Sequence, residues 1–249
     1  MPNLKTAMKT RAWLSLATLA FASPALAQST FAPAPWTKSA VIYEVNIRQY
    51  TPEGTFAAFD RQLPRVDSLH VDMLWIMPVQ PIGKKNRKGP LGSYYSISNY
   101  TAFNPEFGSA ADFKKLVTDA HRLGKKVILD WVPNHTSFDH VWITQHPDWY
   151  VHRPDGSIMN ARDDHDRETD WTDVAELDYT KPAMRAAMIH DMRWWLENMG
   201  IDGFRCDVAG GVPMDFWREA RQALAAVRPQ LFMLAEGEGP QFYPAFVQL

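Results

Sequence analysis

Lys126-Val127-Ile128-Leu129-Asp130 is a short apolar run closed by a single acid, and the pattern recurs along this chain. Ile201–Asp207 (IDGFRCD) and Leu231–Glu236 (LFMLAE) end the same way. Val71–Met77 (VDMLWIM) stops at Pro78, and Ala40–Ile47 (AVIYEVNI) opens the series. Runs this short and this continuously apolar mark strands buried on both faces of a parallel sheet. Between them the period changes from strand to helix. Ser109 followed by Asp112 makes a near capping box, after which Phe113, Leu116, Val117, Ala120 and Leu123 recur at helical spacing until Gly124. Thr180 stands where it can cap a second helix with Pro182 in its first turn; Met184, Met188, Met192 and Trp195 mark its buried face and Gly200 its end. A third helix starts near Pro213 and buries Phe216, Trp217, Ala220, Leu224 and Val227 before Pro229. Strand and helix alternating at intervals of about 30 residues predict right-handed βαβ units and an α/β fold.

The spacing of the acids locates the insertions. Asp207 and Glu236 are separated by one ordinary βα unit, but Asp130 and Asp207 are not: roughly 45 residues are surplus between them. The surplus lies at 136–180, a polar, Asp-rich stretch containing Trp142, Trp149 and Trp171, and it predicts a small inserted subdomain after the third strand. A second insertion, 78–108, follows the second strand, and 28–40 reads as an irregular lead-in.

Composition excludes several classes. With 46% hydrophobic, 12% aromatic and 22% charged residues, the chain is neither disordered nor a fibrous repeat. Lys5, Lys9 and Arg11 precede the apolar run Ala12–Ala22, and Ala25-Leu26-Ala27 has the form of a signal-peptidase site, so residues 1–27 are expected to be a secretory signal peptide. Cleavage removes three basic residues and no acid, so the mature chain is more acidic than the formal −2 of the whole. It has no basic excess to attract nucleic acid and no remaining membrane segment. The expected location is the bacterial periplasm or exterior. Cys206 is the single cysteine, which rules out an intramolecular disulfide.

Three strands ending in Asp130, Asp207 and Glu236 bring three acids to one rim, because ligands of parallel α/β sheets bind at the carboxyl ends of strands. One acid after a strand often merely caps the next helix. Three of them, beside Asn134, His135, Arg205 and Glu238, suit glycosidic bond cleavage, in which one carboxylate attacks and another carboxylic acid donates a proton. Arg205 lies two residues before Asp207, on the same side of the strand, and is expected to hold Asp207 anionic. Glu236 has no basic neighbour in sequence, which suits the raised pKa of an acid.

These segments closely resemble the catalytic domain of the α-amylase family of retaining glycoside hydrolases. Asp130-Trp131-Val132-Pro133-Asn134-His135 is similar to its first conserved region, D-x-V-x-N-H, and Gly203-Phe204-Arg205-Cys206-Asp207 to its second, G-F-R-x-D. Leu234-Ala235-Glu236 fits the third. Tyr95–Tyr100 leading into Asn104–Gly108 resembles the segment before the second barrel helix, and Glu176–Tyr179 with Lys181-Pro182 the end of the inserted domain B. The resemblance implies a partial TIM (β/α)8 barrel holding the first five strands. The barrel would occupy 28–135 and 181–249, with domain B at 136–180 after the third strand. It makes Asp207 the nucleophile and Glu236 the general acid, then base; Glu238 is the competing acid. Arg205 would orient Asp207, Asp130 would support that network, His135 would bond the sugar or merely cap its loop, and Tyr95 would stack on the sugar unless Tyr94 takes its place. The implied substrate is an α-1,4-glucan such as starch, glycogen or maltodextrin. A transglycosylase of the same family and a non-catalytic glucan-binding chain are the alternatives.

Asn134, with Asp173, is a calcium ligand pair by this resemblance. The eight acids between Asp163 and Asp178 serve a calcium site or a solvated loop equally well. Ser96 replaces the family's usual aspartate. The fourth conserved region, which supplies a third catalytic carboxylate, is not found before Leu249, so the resemblance implies a fragment of a longer reading frame, with residues 28–249 alone expected to be inactive.

Overall fold

The computed structural model describes residues 33–246. The expected signal peptide lies outside them. Among the described residues there are seven strands: β1 (Ile42–Val45), β2 (Met73–Ile76), β3 (Lys126–Trp131), β4 (His135–Ser137), β5 (Val174–Glu176), β6 (Gly203–Cys206) and β7 (Phe232–Ala235). Among the helices are α1 (Ile47–Tyr50), α2 (Phe56–Asp60), α3 (Leu63–Asp67), α4 (Ala110–Arg122), α5 (Val141–Gln145), α6 (Pro182–Trp194) and α7 (Met214–Val227). Five strands form one parallel sheet in the order β1-β2-β3-β6-β7. Each neighbour follows the last in sequence, as in a barrel under construction. The five expected strands are those five.

The strands are mostly apolar, and both faces of the sheet carry buried side chains. Leu74, Ile76, Val127, Leu129, Phe204 and Met233 are buried in the main core with the helices. On the opposite face Met73, Ile128 and Phe232 form a separate cluster with Trp36, Trp75 and Leu234 packed against it. The lead-in is more ordered than expected: Pro35–Ser39 is a 3-10 turn, and its Trp36 stacks on Phe232 at 5.7 Å. Gly203 is required by close approach, since a Cβ there would stand 1.8 Å from the Phe232 carbonyl oxygen.

The expected capping box at the start of α4 is complete, Ser109 accepting from the Asp112 amide while Asp112 accepts from that of Ser109. Two local expectations need correction. Thr180 does not cap α6; its hydroxyl donates to Asp178 Oδ1 at 2.6 Å, and Lys181 takes the N-cap position without a side-chain bond. Leu123 falls beyond the last residue of α4 and is exposed. After Trp194 the helix widens into a π turn, Trp195–Met199. Trp195 is fully buried and donates from Nε1 to the Tyr100 carbonyl at 2.8 Å.

Between β3 and β6 the chain forms a small antiparallel sheet. His135–Ser137 pairs with Val174–Glu176, so this sheet begins at His135 itself. Isolated bridges Asn160↔Ala175 and Arg162↔Glu168 extend it toward a hairpin tip at Asp163–Asp166. Two phenols fix the loop entering it. Tyr100 Oη lies 2.7 Å from the Val132 carbonyl oxygen, and Tyr179 donates to that of Pro133 at 2.8 Å.

Candidate active site

Asp130 is the penultimate residue of β3, Asp207 follows β6 and Glu236 follows β7, so all three stand at the carboxyl ends of adjacent strands. Register does the rest. Asp130 is directly opposite Arg205, and Arg205 opposite Leu234, which places the guanidinium between the two outer acids. Arg205 Nη1 donates to Asp130 Oδ1 at 3.1 Å and to Asp207 Oδ1 at 2.9 Å, while Nη2 reaches Glu236 Oε1 at 2.6 Å. Its guanidinium also lies 4.9 Å above the Trp75 ring. Burial works against its charge, but the three carboxylates outweigh burial and keep it cationic.

One cation facing three acids leaves negative charge in excess. Asp207 is buried, and its pKa is pushed up to about 8 by burial, then by the charges of Asp130 and Glu236, with Arg205 opposing. This overturns the expectation that Arg205 alone would hold Asp207 low. Glu236 does have a basic neighbour, Arg205, supplied by the next strand rather than by sequence. The Glu236 side chain adds to this upward push, so Asp207 retains its proton at neutral pH. Asp130 is raised to about 6, mainly by burial, against hydrogen bonds from Arg205, Trp75 Nε1 (3.0 Å) and the Tyr95 hydroxyl (3.2 Å).

Val208, directly after Asp207, has φ +43°, a left-handed conformation that costs a β-branched residue about 1–3 kcal/mol. The strained turn aims its amide at Glu236 Oε2, 2.9 Å away. Glu236 is thus held by Arg205 on one oxygen and a backbone N–H on the other. Glu238, the competing acid, is exposed and makes no contact with Arg205 among the described bonds.

Two cavities meet at this cluster. The smaller, about 340 Å³, is lined by Tyr95, His135, Lys88, Asp173, Asp207 and Glu236. The larger, about 780 Å³, opens on the other side of Glu236 against Asp163, Asp164, His165 and Glu238. Trp171 and Val208 line both. Tyr95 therefore faces the cavity, whereas the Tyr94 hydroxyl donates to Asn46 Oδ1 at 2.9 Å and its ring packs on Phe107. His135 is kept neutral, its pKa lowered to about 4 by burial.

Asn134 and Asp173, expected to share a calcium ion, face different partners. Asn134 Nδ2 donates to the Arg162 carbonyl at 2.9 Å and sits 3.3 Å from His135 Nδ1. Asp173 lines the smaller cavity, with Lys88 Nζ 3.9 Å from its Oδ1. They share no partner among the described residues, and one oxygen of a hard-cation cage would have to come from a side chain already paired with an ammonium. The pair as it stands does not fit calcium.

Sequence reading missed three contributors. Trp75, the penultimate residue of β2, bonds Asp130; an aromatic at an inward strand position was the available signal. Trp171, lone in an acidic stretch, spans both cavities. Ser96, noted only as a departure, is buried and ties the early loop to the insertion through the Asp173 carbonyl at 3.0 Å.

A sequentially ordered parallel sheet whose rim carries three acids around one arginine is the build of the carboxylate-rimmed α/β barrels. Residues 45–241 match the family model described as alpha amylase, catalytic domain, and the chain belongs to the α-amylase family. It is 32% identical over 212 residues to the α-1,4-glucan:maltose-1-phosphate maltosyltransferase of Rhodospirillum rubrum, covering 78% of this chain and 30% of that protein. The structure is similar to an α-amylase from Lactobacillus plantarum (42% identity, TM-score 0.78, 83% of this chain and 51% of that one). It is also similar to a noncanonic maltogenic α-amylase from Thermotoga neapolitana (38%, 0.77, 83% and 48%). The chain thus spans about a third of the curated relative and half of the solved ones.

Proposed function

We propose that this chain carries the donor half of a retaining glycosidase site acting on α-1,4-glucans. The observation that supports it most is the single guanidinium shared by Asp130, Asp207 and Glu236 beside a cavity about as large as a sugar. The proton kept by Asp207 is the one the leaving oxygen needs. Passing it to Glu236 leaves Asp207 anionic beneath the anomeric carbon. Asp207 Oδ then forms the bond to that carbon as the glycosidic bond breaks and Glu236 protonates the departing oxygen. Glu236, now a carboxylate, takes a proton from the incoming water, whose oxygen displaces Asp207. Tyr95 holds Asp130, and neutral His135 offers a hydrogen bond to a hydroxyl in the smaller cavity.

Interception by a sugar hydroxyl instead of water would make the same site a transglycosylase. The roomy cavity beyond Glu236 and the maltosyltransferase relative favour that second outcome. We also propose export across a bacterial inner membrane, on the motif ending at Ala27. Asp207→Asn and Glu236→Gln in the whole protein should each lower kcat by about a thousandfold or more. Products followed by NMR should keep the α configuration; a β product at first release would refute the reading.

A further inference from the structure

The insertion between β2 and β3 carries a loop, 83–93, that is tied down along its length. Asp139 Oδ2 accepts from the amides of Lys84 and Lys85 at 2.8 and 3.2 Å. Arg87 folds back, donating from Nε to the Gly83 carbonyl at 2.8 Å and from Nη2 to that of Ile82 at 3.1 Å. Gly83 donates to the Ser96 carbonyl at 2.7 Å, and a Cβ on it would stand 2.3 Å from the Cβ of Ser137. Lys88, the next cation, reaches out of the loop instead. Its Nζ donates to the carbonyl of Asp170, 82 positions later, at 2.9 Å, and lies 3.9 Å from Oδ1 of the buried Asp173.

Between those two contacts sits Trp171, on a tight turn. The Asp170 carbonyl also accepts from the Thr172 amide at 2.9 Å, the Trp171 carbonyl from that of Val174 at 3.2 Å, and the Trp171 amide donates to Thr169 Oγ1 at 3.2 Å. Ser96 Oγ donates to the Asp173 carbonyl at 3.0 Å. Two donors from the early insertion, Lys88 and Ser96, therefore bracket the tryptophan. Its ring is partly buried, meets the His135 ring edge-on at 5.9 Å, and lines both cavities, as Glu236 does. Among the described residues the ring is packed against neither apolar core cluster, so the bonds of its turn set its place. A bond from an ammonium is the stronger kind of tie for such a turn.

Resting on the glycosidase reading above, we propose that Lys88 is a positioning residue: it clasps the turn at Asp170 and Asp173 and so holds the Trp171 indole at the boundary of the two cavities, where the cleaved bond lies. Lys88 acts through Trp171, and the sugar meets its loss as a platform no longer fixed at that boundary. An indole covers the apolar face of a sugar alike before and during bond breaking, so the loss falls on KM more than on kcat.

Hydrogen exchange on the whole protein, without substrate, reads the clasp directly. In Lys88→Met the amides of Trp171, Thr172 and Val174 should exchange about five- to tenfold faster while those of β3 keep their rates, and Lys88→Arg should restore the protection. Unchanged exchange in Lys88→Met, or an equal rise throughout β3, overturns the proposal. Maltotetraose hydrolysis reads the consequence. Lys88→Met should lower kcat/KM about fivefold, mostly through KM, and the same change made in Trp171→Ala should cost less than about twofold. Equal losses in the two backgrounds would mean that Lys88 touches the sugar itself, and they overturn the proposal. If the whole protein cleaves no maltooligosaccharide, the glycosidase reading fails, while the exchange result is independent of it. The same double-mutant cycle is then read by calorimetric binding of maltotetraose to Asp207→Asn: a loss that vanishes without Trp171 upholds the clasp, and additive losses or no binding refute it.

Discussion

Replacing Asp207, the proposed nucleophile, should stabilise this protein while silencing it. The ordinary Asp pKa is 3.8, and in the folded chain Asp207 is raised to about 8. The folded state therefore keeps a proton that the unfolded chain has already lost, and stability falls as pH rises from about 4 to about 8, then levels off. Integrated over that interval at about 1.4 kcal/mol per pH unit, the penalty is about 5 kcal/mol near pH 8 and about 2 kcal/mol near pH 5. Asn cannot ionise, yet its Oδ1 can still accept from Arg205, so Asp207→Asn removes the penalty and keeps the bond. Part of the penalty is shared with Asp130 and Glu236, which sets the expected gain at about 2–5 kcal/mol near pH 8 and about 1–2 kcal/mol near pH 5. Urea unfolding of both proteins at the two pH values, with unchanged m, measures it. Titrating groups not coupled to Asp207 cancel in the difference. Equal gain at both pH values, or a loss at either, would show that burial and like charge do not govern Asp207.

Two other outcomes test the surrounding structure. Gly203→Ala should cost roughly 3 kcal/mol or more in the same unfolding assay, because its methyl would overlap the Phe232 carbonyl 1.8 Å away; a loss within about 1 kcal/mol would show that β6 and β7 can part. His135, lowered to about 4, should show no ring-nitrogen titration by NMR between about pH 5 and pH 8. Its neutrality in the fold costs stability only as pH falls below the ordinary value near 6.5, through about 4, where the unfolded chain takes the proton first.

Much of this architecture could be read along the chain. Five short apolar runs became five strands, the Ser109–Asp112 spacing became a capping box, and Asp130, Asp207 and Glu236 came to one rim. Those features depend on periodicity and punctuation within a few residues, which local sequence carries in full. The behaviour of the rim could not be read that way. Arg205 was visible beside Asp207, but its bonds to Asp130, 75 positions earlier, and to Glu236 exist only once β3, β6 and β7 pair in register. The same holds for Trp75 on Asp130, 55 positions apart, and for the choice of Tyr95 over Tyr94 as the cavity phenol. Desolvation and charge coupling act through space, and they reversed the expected direction at Asp207. Sequence determined which groups arrive at the rim; only the folded sheet decided how many carboxylates would share one guanidinium, and therefore where a proton stays.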